Sequence, residues 1–250
     1  MRILLINPNV TEAVTELMLD EARRSARPGT TLEAATARFG VEYVATRIEA
    51  QVAGHAVLEA IAEHGDDADG IIIAAFGDPG LLAARELARV PVVGIAEAAL
   101  HVAYLCSTRF SIVCLNERLA RWYAECAAEH DLDRRLVSVR PMRATLDDIR
   151  NARGSAAEAL VNECHAAVEA DGAELVIMGG GPIAGLARDV EDRIPVPVID
   201  GVRCAVGLVE ALVSIAPRQP RSGTLARPPG KRNIGLSPAL AAFLHGDQVS

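Results

Sequence analysis

Aromatic side chains are scarce: four Phe, three Tyr and one Trp make up 3% of 250 residues. Aliphatic side chains must therefore fill the core, and the stacking platforms that hold single-stranded nucleic acid are missing. Basic residues are outnumbered 33 to 25, leaving a net charge of −8, which disfavours a phosphate backbone as partner. A small anion is not excluded, because main-chain N–H groups can hold one locally whatever the global charge. No apolar run approaches the roughly 18 residues of a membrane span. The start "MRILLINPN" is too short an apolar run for a signal peptide. Five cysteines (Cys106, Cys114, Cys126, Cys164 and Cys204) form no CxxC and leave an odd count. A reduced, cytoplasmic protein without structural zinc is expected. There is no GxSxG, no P-loop and no GxGxxG after a strand, and six scattered histidines show no metal-ligand spacing. The expected partner is a small molecule, with no metal, nucleic acid or membrane.

What the chain does have is alternation. Apolar runs of strand length occur at Ile3–Ile6, Ile71–Ala75, Val92–Ile95, Phe110–Leu115, Leu136–Val139, Glu174–Met178 and Val196–Ile199. Helical periodicity fills Glu12–Ala26, Ala50–His64, Leu81–Ala88, Leu119–His130, Ser155–Ala170 and Val202–Ile215. Such alternation predicts an α/β fold with mostly parallel sheets flanked by helices. The parts also repeat in order. "RILLINPNVTEAV" is matched by "RFSIVCLNERLAR", and "GIIIAAFGDPGLLAARELARVPVVGI" by "ELVIMGGGPIAGLARDVEDRIPVPVID". In that echo Ala75 faces Gly180, Gly80 faces Gly185 and Leu81 faces Leu186. Two pseudo-symmetric lobes follow, residues 1–100 with about 200–216 returning to the first, and 101–199 forming the second. Residues 217–250 read as an irregular arm with a short helix, Ser237 capping it ahead of Pro238. A ligand cleft is expected between the lobes, beyond the carboxyl ends of the strands.

Three motifs border that cleft. In "INPNVT", Asn7 and Asn9 either shape the turn or join the next helix start in holding a carboxylate or imide oxygen. Thr11 either caps that helix or donates its hydroxyl. In "FGDPG", Asp78 before Pro79 reads first as the cap of the following helix and only second as a proton carrier. The N–H groups around Phe76 and Gly77 suit an anion nest, and "GGGP", with Gly180, Gly181 and Pro182, repeats the device. In "GIAEAA", Glu97 either faces the cleft or opens a helix with its carboxylate at the positive end.

Together "INPNVT", "FGDPGLLAARELA", "PVVGIAEAA", "TRFSIV" and "PVIDGV" resemble the hydantoin and allantoin racemases of the aspartate/glutamate racemase superfamily, over roughly residues 1–215. The resemblance implies two α/β lobes and cofactor-independent racemisation by one cysteine from each lobe. Here both cysteine positions differ: Ala75 stands at one and Gly180 at the other. Nearby, Val10 and Cys114 replace the family's threonines. The arylmalonate decarboxylases of the same superfamily imply that such a cleft also runs other chemistry through oxyanion stabilisation.

Two-thiol racemisation is therefore not expected. The preferred reading is an enzyme acting on a small carboxylate, imide or ureide by stabilising an enolate-like or tetrahedral oxyanion. Decarboxylation, elimination, ring opening and cyclisation all fit. A non-catalytic binder and a residual racemase with substitute bases stay open, and a homo-oligomer is expected. Cys114, Glu97 and Asp78 are the candidate acid–base or nucleophilic groups. Cys114 at a strand end is either a small buried hydrophobe or a thiol activated by the helix start near Asn116. Asn7, Asn9, Thr11, Ala75, Phe76, Gly77, Gly180, Gly181 and Pro182 are the candidate substrate contacts.

Overall fold

The computed structural model describes residues 1–143, 153–215 and 220–245. Two four-stranded parallel sheets carry the fold. The first contains β1 (Arg2–Asn7), β2 (Thr31–Thr36), β3 (Gly70–Ile73) and β4 (Val92–Gly94) in the order β2-β1-β3-β4. The second contains β5 (Phe110–Cys114), β6 (Leu136–Pro141), β7 (Leu175–Gly179) and β8 (Val198–Asp200) in the equivalent order β6-β5-β7-β8. The flanking helices are α1 (Glu12–Ser25), α2 (Arg47–His64), α3 (Leu81–Leu87), α4 (Ile95–Cys106), α5 (Glu117–Glu129), α6 (Arg153–Glu169), α7 (Leu186–Val190) and α8 (Gly201–Ile215). Cover on both faces explains why every residue of β3, β5 and β7 is buried.

The last helix of the repeat returns to the first sheet. A methyl on Gly70 of β3 would stand 2.7 Å from Val209 and 3.0 Å from Val213 of α8. Glu210 of α8 is buried and accepts hydrogen bonds from the Arg27 N–H and the Thr30 hydroxyl beyond α1. Past residue 219 the chain is irregular until α9 (Pro238–His245), where Ser237 accepts from the Leu240 N–H as its cap. Leu240 buries itself beside Val57, Ile61 and Leu87, and the Ser237 hydroxyl bonds Glu59 of α2. Of the expected arm, residues 217–219 and 246–250 lie outside the described residues, as does residue 216 of the expected first lobe.

β2 is absent from the expected strands, and of α4 only a possible start at Glu97 is among the expectations. β2 has no apolar run, since it lies at a sheet edge and buries only Leu32. α4 is so uniformly apolar that its start was absorbed into the preceding strand, which ends at Gly94 rather than Ile95. β3 likewise stops at Ile73, and β8 starts two residues later than expected, at Val198.

The capping roles also need correction. Asp78 does not cap α3, whose N-cap is Gly80 in the left-handed region at φ 79°. Its carboxylate reaches α4 instead, accepting from the N–H groups of Ala96 (2.9 Å) and Glu97 (2.7 Å). The second lobe does the same job differently. There Asp200 stands at the strand end itself and accepts from Val202, Arg203 and, across the turn, Gly185. In the first lobe the matching strand end is Gly94, and any side chain on it would overlap the Asp78 carboxyl group. Thr11 makes no cap bond either; its hydroxyl donates to the Glu42 carbonyl at 2.8 Å.

Gly94→Ala should therefore expel the Asp78 carboxylate and strip two amides of their acceptor. A loss of about 1–3 kcal/mol is expected in urea unfolding. Asp78→Ala should cost a similar amount, and adding Gly94→Ala to it should cost little more, because the overlap is already gone. Additive losses would show that the two positions do not share this contact.

Candidate functional site

Each lobe sends the loop after its third strand onto the first helix of the other. After β3, Phe76 packs on Tyr123 of α5 with ring centroids 4.5 Å apart. Gly77 lies so close to the Trp122 indole that a methyl there would stand 2.7 Å from it. After β7, a methyl on Gly181 would stand 2.7 Å from Met18 Sδ of α1. Next to these contacts in the chain stand Ala75, just before Phe76, and Gly180, just before Gly181. Ala75 is half-buried with an ordinary backbone, whereas Gly180 is buried and holds φ at +133°, a region L side chains rarely adopt.

The asparagines divide the work. Asn7 is fully buried and spends its side chain inward, donating to Asn9, Thr15 and the Thr11 carbonyl and accepting from the Asn9 N–H. It shapes the loop. Asn9 is pinned by its carbonyl oxygen, which accepts from Asn7 and from the Thr11 N–H at 3.0 Å. That orientation leaves its NH₂ as the group free to donate elsewhere. The turns at Phe76–Gly77 and Gly180–Gly181 add main-chain N–H groups. Pro182 and Ile183 follow in a tight turn closed by Ile183 N–H to Gly180 C=O and Ala184 N–H to Gly181 C=O.

Cys114 ends β5 and is fully buried. Its thiol points a weak hydrogen bond at the Asn116 carbonyl, 3.5 Å away. The Asn116 side chain caps α5 through the Leu119 N–H. This environment does not lower the thiol pKa: burial pushes it up to about 12, and only the Asn116 contact opposes that. Glu97 is paired with Arg85, which also donates to the Val92 carbonyl. Burial raises Asp78 to about 7 against the pull of its two amide bonds. Both carboxyl groups are thus held at the α4 start, Asp78 by two amides and Glu97 by Arg85.

Two groups the sequence reading missed complete the site. The Tyr43 hydroxyl is sealed from solvent and is the one buried side-chain polar atom among the described residues with no hydrogen-bond partner. Burial first, then Cys114 and Glu49, raise its pKa. Tyr123 is 2% exposed and its pKa is raised by burial, then by Tyr43 and Cys114. The two phenols and the Cys114 thiol thus each raise the cost of ionising a neighbour. A signal existed in the scarcity itself: four of the eight aromatics, Tyr43, Phe76, Trp122 and Tyr123, gather where the lobes meet.

A wider groove of about 810 Å³ opens on the outer side of Gly77 and Trp122, between α2, α3, α5 and α9. An ion pair between Arg47 of α2 and Glu125 of α5 crosses it from lobe to lobe. It does not include Ala75, Gly180 or the asparagines, so it is a neighbour of the site and not the site. Among the described residues no cluster of His, Cys, Asp or Glu is placed to hold a metal ion, and no helix is long and apolar enough to cross a membrane.

The thiols give a direct check on this electrostatic picture. Cys114, Cys126, Cys164 and Cys204 are buried with pKa values pushed up to about 12, whereas Cys106 is exposed. The reactive species is the thiolate, so at pH 8 the four buried thiols are about 10⁴-fold short of it. Iodoacetamide followed by peptide mass mapping should label Cys106 first and Cys114 only on unfolding. Faster labelling of Cys114 would mean the burial argument is wrong.

Residues 3–209 match the family described as Asp/Glu/hydantoin racemase. A hydantoin racemase of Paenarthrobacter aurescens is 33% identical over 94% of this chain and 100% of its own length. The structure of an allantoin racemase from Klebsiella pneumoniae superposes with a TM-score of 0.91 at 37% identity, covering 96% of this chain and 98% of that one. Arylmalonate decarboxylase, at 18% identity and a TM-score of 0.62 over 85% of this chain and 92% of its own, shares the fold. Sheet order, lobe contacts and these likenesses agree, and the chain belongs to the Asp/Glu/hydantoin racemase family.

Proposed function

We propose that the chain is a cofactor-independent enzyme that takes a small ureide, imide or carboxylate between its lobes and stabilises an enolate-like or tetrahedral oxyanion with neutral donors. A methyl at Ala75 and a hydrogen at Gly180 carry no proton, so the two-thiol route implied by the family has no carriers at those positions. The donors that remain are the Tyr43 hydroxyl, the Asn9 NH₂ and the main-chain amides of the two turns. Preorganised donors aimed at a developing oxyanion are the largest single term in many such reactions.

The observation that carries this reading is the Tyr43 hydroxyl. A buried O–H without a partner costs about 1–3 kcal/mol, a cost that a ligand oxygen would relieve. Charge narrows the substrate. Arg47, Arg85 and Arg188 at the lobe junction are each committed to a carboxylate, namely Glu125, Glu97 and Glu21. A dianion would therefore go unpaired in the interior, which is costly. A neutral ureide fits better, and the related racemases are named for hydantoin and allantoin, both ureides. A binding protein with the same pocket is the second reading. It is favoured by the raised pKa of Cys114, Tyr43 and Tyr123, none of which is a ready base at neutral pH.

Tyr43→Phe separates function from stability. Removing an unpaired buried hydroxyl should raise unfolding stability by about 1 kcal/mol and weaken binding of a 5-substituted hydantoin or allantoin roughly tenfold. Urea unfolding and isothermal titration calorimetry measure the two. Unchanged affinity in Tyr43→Phe, or binding of dicarboxylates in preference to ureides, would remove the basis for this function.

A further inference from the structure

Gly179 and Gly180 close β7 without side chains, and Tyr123 fills the room they leave. A methyl on Gly179 would stand 2.9 Å from the Tyr123 ring, and one on Gly180 would stand 3.6 Å from its hydroxyl oxygen. Phe76 holds the ring from the other lobe. The phenolic oxygen is thus fixed beside the backbone position from which a second-lobe thiol would project. The equivalent first-lobe position in the internal repeat, Ala75, offers only a methyl.

We propose that Tyr123 is the proton carrier of this site and that it serves one face of the substrate carbon alone. The proposal rests on the oxyanion-stabilising reading given above. In the forward step the Oη–H bond breaks, and the enolate's electron pair forms the new C–H bond. The phenolate left behind recovers a proton from water. In the reverse step the phenolate removes the Cα proton, and the C–H electron pair moves into the enolate. Burial keeps the phenol neutral at ordinary pH, so it waits as an acid, and its action as a base grows as pH rises. A single carrier on one face exchanges the Cα proton with solvent but returns it to the side it left, so exchange proceeds without inversion.

The test uses the full-length protein and the two enantiomers of 5-benzylhydantoin in D₂O between pD 8 and 10. Proton NMR follows exchange at Cα, chiral chromatography follows inversion, and calorimetry follows binding. One enantiomer should exchange at least about tenfold faster than it inverts, with a rate that climbs through the whole range. Protein-free solution should show no such excess. Tyr123→Phe should bind the hydantoin and unfold at a similar temperature, yet return the ratio of exchange to inversion to the protein-free value. Ala75→Cys should add a carrier to the opposite face and let inversion keep pace with exchange. An unchanged ratio in Tyr123→Phe, or continued retention in Ala75→Cys, would overturn the assignment. Wild-type protein that binds the hydantoin without exchanging it would overturn the role of Tyr123 alone. Absence of binding would overturn both this role and the reading it rests on.

Discussion

The two lobes meet through main chain that carries no side chain. Gly77 against Trp122 and Gly181 against Met18 are contacts that a single methyl would break. Everything at the centre depends on that approach. Because Gly77 admits the indole, α5 comes close enough for Tyr123 to reach Phe76 across the cleft. Because Gly181 lies on Met18, the turn after β7 stays tight. Ion pairs then join the lobes at the periphery. Glu21 of α1 is buried and accepts from Arg188 of α7 at 2.8 and 3.1 Å, with Ser25 bonding both partners. A buried pair of this kind adds little net stability, but breaking it leaves an uncompensated charge. It therefore fixes one arrangement of the lobes more than it strengthens it.

The sequence made the two-lobed plan legible because parallel strands buried on both faces write themselves as runs such as Ile71–Ile73, and because the runs recur in the same order. It was poor at edges. β2 buries one leucine and so leaves no run, and α4 is apolar on nearly every side and so leaves no period. The loop positions were found by motif, but their jobs were not. Asp78 has the local signature of a cap for its own helix, and only the fold shows that α4 lies nearer. Tyr43 and Tyr123 could not be placed together from the chain, since 80 residues separate them and neither sits in a recognisable motif. Their meeting depends on the lobe contact, which is a property of glycines.

Charge at the junction is handled consistently. Arg47, Arg85 and Arg188 each face a carboxylate, and among the described residues the buried carboxylates Glu21, Asp200 and Glu210 have amide or guanidinium donors. The thiol and phenols between them remain neutral because burial disfavours their ionised forms. The result is a centre lined by neutral dipoles and flanked by paired ions. In such surroundings a hydrogen bond to a developing negative oxygen is stronger than in water, and an unpaired donor is correspondingly costly.

Pseudo-symmetry makes the departures informative. The two lobes share strand order, helix order and the left-handed glycines Gly80 and Gly185, both at φ 79°, yet equivalent tasks fall to different residues. Asp78 reaches across Gly94 to do what Asp200 does from its own strand. Asn7 closes its loop with four hydrogen bonds where Cys114, its counterpart, makes one weak one. The largest inequality is at the centre. On the first-lobe side Ala75 presents a methyl, and the carboxyl group of that loop, Asp78, is turned to the start of α4. On the second-lobe side the absence of a side chain at Gly180 leaves a phenol in reach. Two matched halves thus place different side chains at equivalent positions. That asymmetry arises from which residue is missing a side chain, not from any change in the fold that carries it.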